Sequence, residues 1–275
     1  MTGLLSDIAA SSAYRVEAAR ITQSEQALRE FCDSMPAAPR LTLSASGFDV
    51  IAELKLRSPS LGDLSARTLD PVERLRGYAT GGAAVCSVLT EPTRFDGDLD
   101  HLRVAAAALA PYGVPAMRKD FLVDPYQVLE ARAHGAGGVL LIVRMVPRAT
   151  LVAMLDEAAA QGLFVLLEAF DAADLAVARD LACERRDRDE QVLMGLNCRD
   201  LDTLQIDFAR FETLRAALPD AWPAVAESGV TRVDDAVRVA ALGYRLALVG
   251  TALMQHDDPA HAVTELLVAG RGATR

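Results

Sequence analysis

The chain reads as an α/β protein, a single (β/α)8 barrel with an additional N-terminal helical segment. Three observations predict this. Eight short apolar runs recur along the sequence, at 48–52, 84–89, 114–117, 138–143, 164–167, 192–196, 224–226 and 246–249. Several are apolar almost throughout, as strands covered on both faces must be. The stretches between them carry helix start and stop signals, and strands alternating with helices pair in parallel through right-handed crossovers. Eight such units close a TIM-type barrel, for which 275 residues is an ordinary length. A doubly wound open sheet is the alternative; it rarely uses eight regular units, and no G-x-G-x-x-G follows the first run.

In chain order, a helical segment at 4–34 and a proline-containing linker at 35–41 come first, so 1–41 forms an extension on one domain spanning 1–275. A plain barrel does not need this extension. It is expected to cover one mouth of the barrel or to lie beside the substrate. The first run leads into Glu53 and Lys55, the second into Thr90-Glu91-Pro92, the third into Lys119. Asp124-Pro125 then opens a helix read as running to Gly135. Alanine clusters at 105–108 and 158–160 are strong helix formers. The fifth run leads into Glu168, with Asp171 ahead of a helix at 172–182, and the sixth into Asn197 and Arg199. The seventh leads into Glu227 and Ser228, with Thr231 read as the cap of a helix ending at Gly243; the eighth ends at Gly250.

Composition narrows the function. The net charge of -10 argues against a nucleic-acid partner, which would call for a basic face. No apolar run approaches the roughly 20 residues of a membrane span, and the N-terminus has no basic stretch followed by an apolar block, so no membrane association and a cytoplasmic location are expected. Cys32, Cys86, Cys183 and Cys198 are scattered and read as reduced thiols. His101, His134, His256 and His261 show no metal-ligand spacing and read as solvated or capping residues. No metal and no organic cofactor is expected. A monomer is expected, with a weak homodimer as the alternative.

Among 28 basic residues only Lys55 and Lys119 are lysines. Arginine cannot usefully release a proton, whereas lysine can. In a parallel barrel the working groups stand at the C-terminal ends of the strands. Those ends supply Glu53, Lys55, Lys119, Glu168, Asn197, Arg199, Glu227 and Ser228. Any one of them could be a structural ion pair. Three carboxylates, two ammonium groups and a guanidinium at one mouth are not a requirement of folding, and charges gathered this way mark a functional site. Arg271, near the C-terminus, is read as an exposed residue with no part in this.

Five blocks carry a resemblance. Glu53-Leu54-Lys55-Leu56-Arg57-Ser58-Pro59-Ser60 resembles the signature of the indole-3-glycerol-phosphate synthase family. Residues 87–97, 118–127 (beginning Arg118-Lys119-Asp120-Phe121), 195–201 and Ala226-Glu227-Ser228-Gly229-Val230 are similar to its later blocks, in order, over about 48–260. The resemblance implies ring closure, decarboxylation and dehydration of a carboxyphenylamino-deoxyribulose phosphate, a phosphorylated small molecule. It implies Lys119 as general acid on the ketone oxygen, and Lys55 binding the carboxylate or assisting later proton transfer. Glu168 would stabilise the cationic intermediate, and Glu53 would pair with a lysine and move protons. Asn197, Arg199 and Glu227 complete the catalytic set. Ser58, Phe121, Leu201 and Ser228 would contact substrate, and Gly229, Gly250 and Thr251 its phosphate. The chain departs from the family pattern at Leu61, often Lys, at Cys198, often Asn, and at Ala169-Phe170, often Val-His. The N-terminal segment also lacks the family's usual basic residues. A paralogue acting on a modified substrate in specialised metabolism is therefore an alternative. A phosphoribosylanthranilate isomerase would want an Asp or Cys pair and no lysine pair, and a non-catalytic barrel would have lost part of the polar set.

Overall fold

Two helices, α1 (Leu4–Thr22) and α2 (Glu25–Ser34), precede the first strand where the sequence suggested one continuous segment. Ser24 makes the break: its Oγ accepts the Ala27 amide at 3.2 Å and caps α2, so the chain turns instead of running on. This computed structural model describes residues 3–55, 57–58, 62–63, 70–200 and 203–274, with the backbone alone at 4, 57, 58, 62 and 63. Strand β1 (Asp49–Leu54) is followed by a small antiparallel pair, β2 (Arg57–Ser58) and β3 (Gly62–Asp63), and then α3 (Pro71–Thr80). Next come β4 (Val85–Leu89), α4 (Pro92–Phe95), α5 (Leu99–Leu109), β5 (Ala116–Lys119), α6 (Pro125–Ala133), β6 (Gly138–Ile142) and α7 (Arg148–Ala160). The second half holds β7 (Phe164–Ala169), α8 (Ala172–Glu184), β8 (Val192–Asn197), α9 (Arg210–Thr213), β9 (Ala224–Glu227), α10 (Val233–Ala241), β10 (Leu246–Val249), α11 (Thr251–Gln255) and α12 (Pro259–Ala273).

Among the described residues, eight parallel strands close in the order β1-β10-β9-β8-β7-β6-β5-β4, with β4 pairing back to β1. Alternation along each strand sorts the core into two shells. Ile51, Val85, Met117, Leu140, Leu166, Leu193, Val225 and Leu248 fill the barrel interior, and Leu5 and Ile8 of α1 join that cluster. Their neighbours Val50, Ala52, Cys86, Val88, Leu141, Leu167 and Ala226 face the surrounding helices. Helix α1 thus lies over the mouth of the barrel and contributes to its contents.

Several expectations shift. The third strand starts later and ends at Lys119, because Val114 and Pro115 lead in and the Pro115 carbonyl accepts the Cys86 amide. Glu53, Glu168, Asn197 and Glu227 lie inside their strands and not beyond them. Thr231 does not cap α10: its amide and hydroxyl and the Arg232 amide all donate to Asp235 Oδ2, so the first-turn carboxylate does the capping. Arg271 is not free either. Its Nε donates to the Phe48 carbonyl and its Nη2 pairs with Asp49 Oδ1, both at 2.9 Å, fastening α12 to the start of β1.

Candidate active site

Parity builds the site. Each residue of the site follows an interior apolar one by two positions: Glu53 after Ile51, Lys119 after Met117, Glu168 after Leu166, Glu227 after Val225, and the glycine Gly250 after Leu248. Asn197 follows Leu193 and Gly195 on the same inner face. They therefore form one layer at the C-terminal mouth, above the apolar filling.

Glu53 is the hub of that layer. Lys55 Nζ lies 2.8 Å from its Oε1 and Lys119 Nζ 3.4 Å from its Oε2. Burial alone would raise the Glu53 pKa, but the two lysines outweigh it and pull the group down to about 2. Burial likewise works against a charged Lys119; the carboxylates of Glu53, Glu168 and Glu227 more than compensate and raise its pKa, so the side chain is an ammonium at neutral pH. Glu168 Oε1 accepts from Asn197 Nδ2 at 2.6 Å, and Asn197 Oδ1 accepts the Arg199 amide at 2.9 Å. Glu227 has no such support: both carboxyl oxygens are buried without a hydrogen-bond partner among the described residues. Burial and the nearby Glu168 raise its pKa well above the carboxylate range. Burial raises the Glu168 pKa as well, while Lys119 and Asn197 work the other way; a proton on Glu227 leaves Glu53 and Glu168 as the carboxylates facing the two lysines.

Two glycines make this packing possible. A Cβ on Gly195 would sit 2.0 Å from Glu227 Oε1, and one on Gly250 would sit 2.4 Å from Glu53 Oε1 and 2.8 Å from Lys55 Cε. Gly195→Ala is expected to cost roughly 1–3 kcal/mol of stability through overpacking, read as a lower Tm in thermal denaturation. An unchanged Tm would show that Glu227 moves aside freely.

A cavity of about 600 Å³ opens onto the layer. Its wall includes Glu53, Lys55, Lys119, Phe121, Glu168, Asn197, Arg199, Glu227, Ser228, Gly229, Gly250 and Thr251. Of the other residues singled out from sequence, Ser58 is described by its backbone alone, and Leu201 lies outside the described residues, as do Pro59, Ser60 and Leu61. Arg199 reaches the wall, but its Nη1 donates to the Leu204 carbonyl at 3.1 Å, so its guanidinium also braces the loop after β8. Ser228 and Gly229 both have positive φ, 65° and 73°, a costly backbone for serine that turns their amides at the end of β9.

Sequence reasoning missed part of the wall: Leu5, Ile8, Arg94, Phe95, Leu140, Ile142, Leu204, Ile206 and Thr231. Glu91 caps α4, its oxygens accepting the Thr93 and Arg94 amides, and this carries Arg94 and Phe95 to the cavity. Phe95 stands 6.4 Å from Phe121, ring centroid to centroid, and the pair makes an aromatic slot. The Glu91-Pro92 signal was present in the sequence; which way the short helix would point was not.

The layer offers a part-buried ammonium, carboxyl groups that can exchange protons with it, and an apolar slot beside them. That suits proton transfer to a carbonyl oxygen and stabilisation of a cationic intermediate. Residues 5–266 match the family model described as indole-3-glycerol phosphate synthase. Relatives bearing that name include one from Nocardioides sp. (strain ATCC BAA-499 / JS614), 45% identical over 84% of this chain and 84% of its own. Another, from Mycobacterium avium (strain 104), is 38% identical over 98% of this chain and 93% of its own. Among solved structures, 3-hexulose-6-phosphate synthase from Salmonella typhimurium superposes with a TM-score of 0.62 at 14% identity, covering 82% of this chain and 99% of that one. Thiamine phosphate pyrophosphorylase from Pyrococcus furiosus does so with a TM-score of 0.58 at 18% identity, covering 84% and 98%. These two similarities speak for the fold alone.

Proposed function

The chain belongs to the indole-3-glycerol phosphate synthase family, and from that premise we propose how its barrel mouth carries the reaction. Its activity is that of a carboxy-lyase of tryptophan biosynthesis: 1-(2-carboxyphenylamino)-1-deoxyribulose 5-phosphate closes its ring and loses CO2 and water to give indole-3-glycerol phosphate. The observation that carries the assignment of roles is Lys119, an ammonium at the cavity wall with Glu53, Glu168 and the neutral Glu227 around it.

The ring carbon that bears the carboxylate attacks the ketone carbon, and the ketone oxygen must gain a proton as that bond forms. Lys119 donates it. The ring system is then cationic, and Glu168, held by Asn197, faces that charge until CO2 departs with its bonding pair left in the ring. The hydroxyl made in the first step leaves as water, taking a second proton from Lys55 or Lys119; the carbon between it and the nitrogen then gives up one of its protons as the ring double bond forms, and Glu53, bonded to both lysines, accepts that proton and returns it to them. Glu227 in its neutral form lets Glu168 stay ionised beside it. Phe95 and Phe121 flank the aromatic ring, and the amides turned by Ser228 and Gly229, with Gly250 and Thr251, receive the phosphate.

These steps ask for proton transfer and charge stabilisation, which the chain's own side chains supply. We read residues 1–275 as one working unit, because Leu5 and Ile8 of the 1–41 extension line the same cavity as the strand ends. The described wall residues come from several strand ends and from α1, and a monomer is the proposed working form, with a weak homodimer as the alternative. Cys32, Cys86 and Cys198 are buried free thiols, in keeping with a reducing cytoplasm. No described helix is long and apolar enough to cross a membrane. The test is an indole fluorescence assay with the carboxyphenylamino substrate. Product formation is the expected result, and a folded protein that makes none from it or from ring-substituted analogues overturns the reading.

A further inference from the structure

Lys119 is the last residue of β5, and the side chains on either side of it, Arg118 and Asp120, are tied into a polar cluster that the proposed chemistry does not use, with Asp120 also reaching the cavity wall. Arg118 Nε donates to Thr90 Oγ1 at 3.1 Å, Nη1 to the Gln127 carbonyl at 2.8 Å and Nη2 to Asp120 Oδ2 at 3.1 Å. Asp120 accepts in addition from Thr90 Oγ1 at 2.9 Å and from the Phe121 amide at 2.8 Å. The remaining donor comes from far away in the chain. Arg15 of α1 grips both oxygens of Asp120, Nη1 to Oδ2 at 3.0 Å and Nη2 to Oδ1 at 2.9 Å. One turn earlier, Ser12 Oγ donates to the Phe121 carbonyl at 2.6 Å and accepts from Gln127 Nε2 at 3.0 Å. The Asp120 side chain is fully buried between two guanidinium groups, whereas that of Arg15 is 25% exposed.

We propose that Arg15 is a positioning residue for the reaction: its two-pronged grip on Asp120 holds the end of β5 so that Lys119 meets the substrate ketone and Phe121 keeps its place in the aromatic slot. The proposal rests on Lys119 as the proton donor. A fork of two parallel hydrogen bonds fixes both the distance and the rotation of the Asp120 carboxylate, which a single-point ammonium cannot do. Asp120 then fixes its own backbone through the Phe121 amide, one residue from Lys119. The same helix places Leu5 and Ile8 at the cavity wall, so the contact that docks α1 also sets the strand end beneath it. Misplacement of a catalytic group by about 1 Å can cost up to about a hundredfold in rate.

A merely structural role for Arg15 would lower stability and leave turnover by the folded enzyme intact. The experiment is a double-mutant cycle in kcat on the full chain, measured well below each Tm, with Arg15→Ala, Lys119→Arg and both together. Arg20→Ala is the control. It removes another ion pair between α1 and the barrel, Arg20 Nη2 to Asp124 Oδ1 at 2.8 Å, without touching Asp120. The expected result is a 10- to 100-fold fall in kcat for Arg15→Ala with KM changed by less than about threefold. No further fall is expected once Lys119 is already Arg, and Arg20→Ala should show a lower Tm with wild-type kcat. If Arg15→Ala does not fold, Arg15→Lys takes its place, with a fall of at least about tenfold expected because the fork is lost. Wild-type kcat in the folded Arg15 variant, an equal loss in both Lys119 backgrounds, or an equal loss from Arg20→Ala overturns the inference alone. Full activity of Lys119→Arg overturns the proton donor and the inference together.

Discussion

Lys119→Arg is expected to lower kcat at least about a hundredfold while the protein folds and still binds its phosphorylated substrate. Arginine keeps the positive charge, so the electrostatic balance with Glu53, Glu168 and Glu227 survives; what is lost is a proton that can be given up. General acid catalysis is worth roughly 10²–10⁴-fold, about 3–5 kcal/mol of barrier. The larger planar head also has to fit where Nζ lies 3.4 Å from Glu53, which adds to the loss. Steady-state kinetics by indole fluorescence gives kcat, and substrate protection against thermal unfolding reports binding separately. Arg186, exposed and not part of the cavity wall, is the control, and Arg186→Lys should leave both unchanged. A near wild-type rate for Lys119→Arg would move the search for the acid to Lys55.

The barrel was legible in the sequence because its strands are buried on both faces and so appear as short apolar blocks, each punctuated by a polar residue. The polar layer was legible for a related reason. Lysine is almost absent from this chain, and both lysines stand at strand ends, as do Glu53, Glu168 and Glu227. Features that depend on two distant segments were not. Helix α1 buries Leu5, Ile8, Ser12 and Val16, a regular stripe, but Tyr14 and Ile21 are exposed and blur it, so the face turned to the cavity could not be chosen. Arg271 looked like a surface arginine because nothing local pairs with it; Asp49, its partner, is over two hundred residues away. The roles of Gly195 and Gly250 likewise appear only when Glu227 and the Glu53–Lys55 pair are placed against them. Spacing within one element reports which face is buried, but it carries no information about what that face meets.

Glu53→Gln is expected to reduce kcat by about a hundredfold or more and to remove a pH-dependent part of the stability. Glu53 bonds both lysines, so the neutral amide leaves two part-buried ammonium groups without their shared partner, and Lys119 keeps only Glu168 as an ionised carboxylate to hold its proton. The proton relay for dehydration goes with it, a contribution of the size general acid–base catalysis supplies, roughly 10²–10⁴-fold. The folded pKa of Glu53 lies below its unfolded value, at about 2 against 4.5. Its ionised form therefore stabilises the fold at every pH above the unfolded value, and that contribution disappears as pH falls from about 4.5 to about 2. The depression corresponds to roughly 3 kcal/mol. Wild type and Glu53→Gln, compared by urea unfolding across this range, should differ by a constant amount above pH 5 and converge toward pH 2. A difference that does not change with pH would mean that the lysines contribute nothing to folding through this carboxylate. Turnover within about threefold of wild type would remove Glu53 from the proton path. Either result leaves the other standing, because the ion pairs act on the resting enzyme and the relay acts only while water is leaving.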